Sequence, residues 1–212
     1  KLDLILASGD MLSGDREEGD AIAVALLSRL SDLAPVCFVN GNHEMCVERH
    51  QPERYQKFMD DLKNGGVQVL HNETAWFWID GEKVAVTGYE LPWEYYRRFS
   101  RRHPSVVGME RSIGKRKQDA YQILLTHNPV FFEEYTAWGA DFTFAGHLHG
   151  GFIRLPYFGG VISPQFQLFP KYDHGLYQMD TSSMVVGAGM GNHSGLFRIN
   201  NPTEIVTVRI KR

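Results

Sequence analysis

The sequence of 212 residues has few of the features that would assign it at once to a special class of protein. It contains only two cysteines and no repeat or low-complexity tract. Its longest uninterrupted apolar run is 21–27, whereas a membrane-spanning helix needs roughly 18 such residues. No signal peptide is recognisable either. A disulfide scaffold, a repeat protein and a helical membrane protein are therefore disfavoured.

Charge of one sign is also scarce, because the formal net charge is -3 and the pI is near 6.3. A nucleic-acid-binding protein with a strongly basic surface is therefore not indicated. With 43% hydrophobic and 22% charged residues, the composition is typical of a globular chain with room for a sizeable core. We expect one domain over 1–212. Cys37 lies inside an apolar run, which favours a buried thiol over a disulfide with Cys46.

The apolar patterns predict an α/β fold with mixed sheets. Strands are predicted at 2–7, 36–40, 67–70, 75–79, 84–88, 121–126, 142–145, 176–180, 183–187, 197–199 and 204–210. Helices are predicted at 17–33, 52–63 and 130–138, the first with its apolar face at Ile22, Leu26, Leu30 and Leu33. Asp80-Gly81 is a turn dipeptide and predicts a hairpin between two of the strands.

Four motifs carry groups that bind cations, and each follows a predicted strand. They are Ser8-Gly9-Asp10, Gly41-Asn42-His43-Glu44, Thr126-His127-Asn128-Pro129 and Gly146-His147-Leu148-His149-Gly150. Carboxylate, amide oxygen and imidazole ligands suit Mn, Fe, Zn, Co or Ni. A carboxylate is also the side chain best able to bridge two cations, so Asp10 is the natural bridge. The set predicts a bound metal pair.

Each motif alone has a simpler explanation. An aspartate after a strand is usually a turn or helix cap, an asparagine often forms an Asx turn, and a lone histidine more often packs than binds metal. The combination favours a site, because open α/β sheets gather their ligands in the loops that follow their strands.

The order of these motifs resembles the calcineurin-like metallophosphoesterase superfamily over nearly the whole chain. Several later segments resemble its bacterial membrane-associated phosphodiesterase subgroup: Arg154-Leu155-Pro156, Gly159-Gly160, Phe169-Pro170-Lys171-Tyr172 and Phe197-Arg198-Ile199-Asn200-Asn201-Pro202. The resemblance implies a layered α-β-β-α sandwich with mixed sheets, here lacking its first strand.

Carried over position by position, the resemblance implies that Asp10 bridges two divalent metal ions. Asn42, His127 and His147 would complete the ligands of the second metal, and His149 would bind the first. His43 would face the scissile phosphate, stabilise charge and protonate the leaving oxygen. The implied reaction is in-line attack on phosphorus by a hydroxide that metal coordination makes available near neutral pH.

The sequence departs from the family pattern at the first metal. The family's Asp-x-His should precede Gly9-Asp10 by one strand-helix unit, and the chain opens at Lys1 without it. We therefore expect an N-terminally trimmed form of a longer protein, whose second metal keeps all its ligands and whose first metal keeps only Asp10 and His149. Asp15 stands near the place where related phosphatases carry a carboxylate that orients the catalytic histidine, although a solvated loop residue is favoured.

Residues 91–118 are predicted to be a basic, aromatic insert. From 97 to 117 there are eight Lys or Arg residues against one acidic residue, directly after Trp93-Glu94-Tyr95-Tyr96. One interpretation is a solvated charged surface. The other is contact with anionic lipid headgroups, with Trp93, Tyr95, Tyr96 and Phe99 at the interface. Single-stranded nucleic acid is disfavoured by the acidic overall balance.

The resemblance implies a metal-dependent phosphoesterase acting on phosphodiesters or phosphomonoesters, with lipid- or nucleotide-linked substrates, in a bacterial membrane-associated setting or otherwise the cytoplasm. The alternative is a non-catalytic scaffold that retains the fold and a partial metal site. His43 favours the enzyme, since it binds no metal in the family. The oligomeric state stays open. The other histidines are interpreted as structural or surface groups: His50, His71, His103, His174 and His193.

Overall fold

The computed structural model describes residues 1–14, 17–97, 102–151, 153–155, 159–161, 168–191 and 198–211. The helices are α1 Asp20–Ser31, α2 Asn42–His50, α3 Pro52–Asn64, α4 Val106–Ile113 and α5 Phe132–Trp138. The strands are β1 Ile5–Ala7, β2 Val36–Phe38, β3 Gln68–Val69, β4 Thr74–Ile79, β5 Glu82–Tyr89, β6 Tyr121–Thr126, β7 Phe142–Ala145, β8 Arg154–Leu155, β9 Gly159–Gly160, β10 Gly175–Met179 and β11 Ser182–Val186. None of these helices is long and apolar enough to cross a bilayer.

Two main sheets pack face to face between layers of helices. One sheet is parallel, in the order β1-β2-β3, and the other is mixed, in the order β10-β11-β7-β6-β5-β4. Cys37, Val39, Val86 and Leu125 meet in the core between the sheets. Helices α1 and α3 cover the outer face of the parallel sheet, while α4 and α5 cover that of the mixed sheet. The predicted α-β-β-α arrangement is confirmed.

Local sequence accounts for the best-predicted elements. Helix α3 begins with Pro52 and buries apolar residues at positions 55, 58, 59 and 62, which share one face at helical spacing. The predicted hairpin joins β4 to β5, and Asp80 and Gly81 both have positive φ angles of 51° and 82°, as a tight hairpin turn requires. Both cysteines are free, and burial raises the pKa of the Cys37 thiol to about 12.

Several expectations were wrong. Residues 204–210 form no strand, because their apolar side chains have no sheet to join, and Ile205 is 78% exposed. Of the predicted apolar face of α1, Leu30 packs against the core, but Ile22 lies on the surface, as does Leu33 beyond the end of the helix, and the helix buries Ala23 and Leu27 instead. Helix α4, inside the insert, was missed although Ser105 caps it by accepting from the Gly108 amide.

The motif Gly41-Asn42-His43-Glu44 was expected in a loop, but Asn42 opens helix α2. Of the predicted strand at 197–199, position 197 lies outside the described residues, and Ile199 makes only an isolated bridge to Ile153.

Candidate active site

The first two motifs meet because they follow adjacent parallel strands. Asp10 comes after β1 and Gly41 after β2, and these strands pair along their length. Gly9 has φ 88°, and a Cβ at this position would overlap the backbone of Asn40 and Gly41, so a side chain at Gly9 would clash. Asp10 itself has φ 57°, an uncommon backbone conformation for an aspartate. The two loops therefore bring Asp10 beside the start of α2.

Glu44 ties these two loops together. Its fully buried carboxylate accepts hydrogen bonds from the amides of Asp10 at 2.8 Å, Leu12 at 2.8 Å and Gly41 at 2.7 Å. The bond from Gly41 also satisfies a backbone donor at the start of α2. Burial, together with the charge of Asp10, raises the pKa of Glu44. The sequence carries only a weak signal for this role, namely a glutamate three positions after the helix cap.

Asp10 contacts two of the other motifs. Its Oδ1 accepts from the His43 amide at 2.9 Å, and its Oδ2 lies 3.0 Å from His127 Nε2. An ionised carboxylate is stabilised at the N-terminus of a helix. Burial by itself would raise the pKa of Asp10, but the positive charge and hydrogen bond of His127 outweigh it and lower this pKa.

His127 is oriented from behind by the backbone of the first motif. Its Nδ1 donates to the Ser8 carbonyl at 2.5 Å, which places the proton of the neutral ring on Nδ1 and the lone pair on Nε2. Burial would lower the pKa of His127, but Asp10 raises it. Metal-binding histidines are commonly oriented by this kind of bond from the second ring nitrogen to a carbonyl.

His147 completes the group. Its Nδ1 lies 3.1 Å from His127 Nε2. One possible ligand atom from each of Asp10, His127 and His147 lies within 4.8 Å of the other two. Burial, then the charge of His127, lowers the pKa of His147 well below its usual range. The imidazole therefore stays neutral, as a metal ligand must.

The donor set fits a divalent cation. Among the described residues, the buried Asn42 Oδ1 has no hydrogen-bond partner, and such an atom is costly unless something else satisfies it. A carboxylate, an amide oxygen and imidazole nitrogens are the donors that Mn, Fe, Zn, Co and Ni accept. Three predicted ligands thus converge, and the fourth, Asn42, opens helix α2 and has an unsatisfied side-chain oxygen.

His149 is not among the three residues whose donor atoms lie within 4.8 Å of one another. Its Nδ1 is 3.4 Å from the Arg198 guanidinium, and its carbonyl accepts from Asn201 Nδ2. Asn201, which is 4% exposed, also donates to the Gly151 carbonyl at 2.7 Å. The roles of Arg198 and Asn201 in holding this loop were missed, and only their place in the closing motif pointed to them.

Asp173 and His174 make contacts outside this group. Asp173 accepts from Arg154, the Gly160 amide and Tyr177, and His174 bonds Glu204 at 2.8 Å. Asp15 and His193 lie outside the described residues, so their predicted roles stay predictions. The same holds for Arg98, Phe99 and Arg101 of the insert.

A family model described as calcineurin-like phosphoesterase matches residues 1–151 of this chain. The chain belongs to that family. It is therefore a metal-binding phosphate-ester hydrolase with the layered fold described above. The ligand and acid roles of the individual residues stay predictions.

Bacterial relatives extend the similarity over the remaining residues. The uncharacterized metallophosphoesterase YkuE of Bacillus subtilis is 24% identical over 213 residues, covering 100% of this chain and 68% of that protein. Phosphodiesterase YaeI of Escherichia coli is 25% identical over 210 residues, covering 99% of this chain and 71% of that protein. The crystal structure of phosphopantetheinyl hydrolase from Mycobacterium tuberculosis has a TM-score of 0.51 at 14% identity, covering 87% of this chain and 78% of that one, and this likeness shows the fold alone.

Proposed function

We propose that this calcineurin-like phosphoesterase cleaves phosphodiesters, with Asp10, Asn42, His127 and His147 holding one divalent cation and His43 acting as the acid. The observation that carries the proposal is the meeting of Asp10 Oδ2, His127 Nε2 and His147 Nδ1. Three acceptor atoms so close together repel one another unless a proton or a cation lies between them. Similarity to a phosphodiesterase supports the choice of a diester substrate.

In this proposal, some residues of the site bind the cation and another donates a proton. When bound, divalent cations polarise the phosphoryl group and lower the pKa of coordinated water. Asp10 and the two histidines hold the cation, and the Ser8 carbonyl keeps the Nε2 lone pair of His127 directed toward it. His43, at the first turn of α2, donates its proton to the leaving oxygen. We further propose that Asp10 and His149 would contribute to holding a second cation.

The acid role of His43 is tested with two diesters that differ in their leaving groups. In the full-length protein supplied with Mn²⁺, His43→Ala should lose about 10²–10⁴-fold in rate on a diester with an alkoxide leaving group, since general acid catalysis typically supplies that much. The loss should be smaller on bis(p-nitrophenyl) phosphate, whose leaving group needs little protonation.

Metal content measured on the same samples separates the roles. Asp10→Ala should lose both activity and bound metal, whereas His43→Ala should keep its metal. His50→Ala, a matched exposed histidine on the same helix bonded to the Cys46 carbonyl, should change neither. Wild-type rates in both His43→Ala and Asp10→Ala would overturn the mechanism. A protein that binds metal but hydrolyses no phosphate ester would instead be the scaffold.

We also propose that the insert, 91–118, contacts an anionic lipid surface. Trp93 is 42% exposed, and Arg97, Arg102 and Arg111 are on the surface. Arg116 is not available for such a contact, because its guanidinium bonds both oxygens of Asp141 at 2.9 and 3.0 Å. Each surface cation would add about 1 kcal/mol near an anionic membrane.

Vesicle sedimentation tests the surface. Replacing Arg97, Arg98, Arg101 and Arg102 with Gln should release the full-length protein from phosphatidylserine vesicles. The control replaces four exposed cations on helices α1, α2 and α3: Arg29, Arg49, Lys57 and Lys63. Equal release by the two variants would mean that only net charge matters, and unchanged sedimentation of the first would remove the lipid surface.

A further inference from the structure

The insert contributes a side chain to the candidate metal centre. A short 3-10 turn, Trp93–Tyr95, ends at Tyr96, whose amide donates to the Trp93 carbonyl at 3.0 Å. Trp93 is 42% exposed, but Tyr96 is only 8% exposed. The expectation that Tyr96 lies at a lipid interface was therefore wrong, because its ring turns inward.

The Tyr96 ring packs against two of the proposed ligands. Its centroid lies 5.3 Å from the His147 ring with the planes at 77°, and 6.1 Å from the His127 ring with the planes at 44°. The two imidazoles are 4.9 Å apart. The contact with His147 is edge-to-face, the arrangement that aromatic rings prefer. One side chain of the insert thus limits how both imidazoles can turn.

The two histidines differ in what else orients them. His127 donates from Nδ1 to the Ser8 carbonyl, which fixes the plane of its ring. Within the described residues, His147 Nε2 has no hydrogen-bond partner, and the only bond of its Nδ1 is to His127. His147 also has a positive φ of 67°, so its backbone lies in a sparsely populated conformation.

We propose that Tyr96 is a positioning residue for His147, with its ring holding the imidazole in the orientation that a hydrogen bond provides for His127. Packing takes the place of the usual bond from the second nitrogen of a ligating histidine. The insert would then contribute to metal affinity as well as to the surface. This inference rests on the metal site proposed above.

Neighbouring Tyr95 offers a matched control. It lies in the same turn, but its ring packs against Phe131 at 5.6 Å rather than against the histidines. Tyr96→Leu keeps apolar bulk in the cluster around Met109 and Phe131 and removes the ring, while Tyr96→Phe keeps the ring and removes the hydroxyl.

The experiment is a Co²⁺ titration of the full-length protein, followed by the visible absorption of the bound ion. Tyr96→Leu should weaken Co²⁺ binding about 10–100-fold, the usual effect of removing a partner that orients a ligand, and should change the spectrum. Tyr96→Phe and Tyr95→Leu should stay within about threefold of the wild type, since both leave the ring contact intact. Thermal unfolding of each variant in EDTA measures any loss of stability that does not involve the metal.

The outcomes distinguish a failure of the Tyr96 role from a failure of the proposed metal site. Wild-type Co²⁺ affinity and spectrum in Tyr96→Leu would overturn the positioning role, as would an equal loss in Tyr95→Leu. An equal loss in Tyr96→Phe would assign the effect to the hydroxyl and overturn the ring contact. If His147→Ala binds Co²⁺ as well as the wild type, the metal site itself is wrong, and the role of Tyr96 falls with it.

Discussion

Asp10 and His127 are held by backbone groups and by each other, whereas the loop around His149 is held by side chains 49 and 52 positions further along the chain. The first arrangement, Asp10 with Gly41–Glu44 and His127, is here called the strand-end side. The second, His147–Gly151 with Arg198 and Asn201, is called the loop side. Parallel strands bring their carboxyl ends to one edge, so the strand-end side forms with the core itself. The loop side depends on a few long-range hydrogen bonds.

The difference predicts that substitutions on the strand-end side destabilise the whole chain, whereas substitutions on the loop side destabilise only the loop. A residue that joins strand ends is coupled to the cooperative core, and its loss lowers the free energy of unfolding of the whole chain. A residue that holds a surface loop can be lost through a local opening. Three measurements test this distinction between the two sides, and they follow from the largest expected effect to the smallest.

The largest effect is expected for Glu44→Ala. The substitution leaves three amides without their acceptor, those of Leu12 and Gly41 buried and that of Asp10 partly buried, and each such loss costs about 1–3 kcal/mol. Urea unfolding in EDTA should show a loss of more than about 3 kcal/mol in the free energy of unfolding, from the same estimate. Glu48→Ala, exposed on the same helix, should stay within about 0.5 kcal/mol. A loss under about 1 kcal/mol for Glu44→Ala would show that the two loops are held by something other than this carboxylate.

A smaller and local effect is expected for Asn201→Ala. It removes the donors to the His149 and Gly151 carbonyls, at a cost of about 1–3 kcal/mol. Hydrogen exchange should accelerate at 147–151 and stay unchanged in β6. Ile199→Ala, which removes an exposed side chain from the same segment, should leave both unchanged. Faster exchange in β6 as well would mean that the loop side is part of the cooperative core.

The smallest effect is a difference in pH dependence between two matched pairs. Next to the strand-end side, Glu90 accepts from His71 and from the amide of Asn40, which precedes Gly41. Next to the loop side, Glu204 accepts from His174 and from the amide of Ala188, whose carbonyl accepts from Arg198. The hydrogen bond that His71 donates to Glu90 raises the pKa of His71 above 6.5. The stability from this pair is therefore present below pH 6.5 and is lost as pH rises through the folded pKa.

The stability that Glu204 contributes depends on pH in the opposite direction from that of His71. Burial would raise its pKa, but the Ala188 amide and His174 lower it below 4.5. Its stability is present above pH 4.5 and is lost as pH falls through the folded pKa. Thermal melts against pH should lose their alkaline slope in His71→Asn and their acid slope in Glu204→Gln. If each substitution flattens the same limb of the curve, these pKa directions are wrong.

Sequence reasoning succeeds where a signal is local. The hairpin at Asp80-Gly81 and the helix α3 follow from turn chemistry and helical spacing, and both are present in the structure. The meeting of Asp10, His127 and His147 follows from their places after strands of a parallel arrangement. Sequence reasoning fails for 204–210, whose alternating pattern is typical of a strand but which pairs with no sheet edge. It also fails for the apolar face of α1, because packing decides which side of that helix is buried.

The sequence alone is enough to identify the motif order, the family that this order indicates and the chemistry of the donor atoms, because residue types and their spacing carry these properties. It does not determine that Glu44 joins two loops, that Asn201 holds the His149 loop, or that Tyr96 lies against two imidazoles. These contacts join residues 34, 52 and 51 positions apart, and no local rule predicts which distant side chain occupies a given space. They arise only when the core brings the segments together.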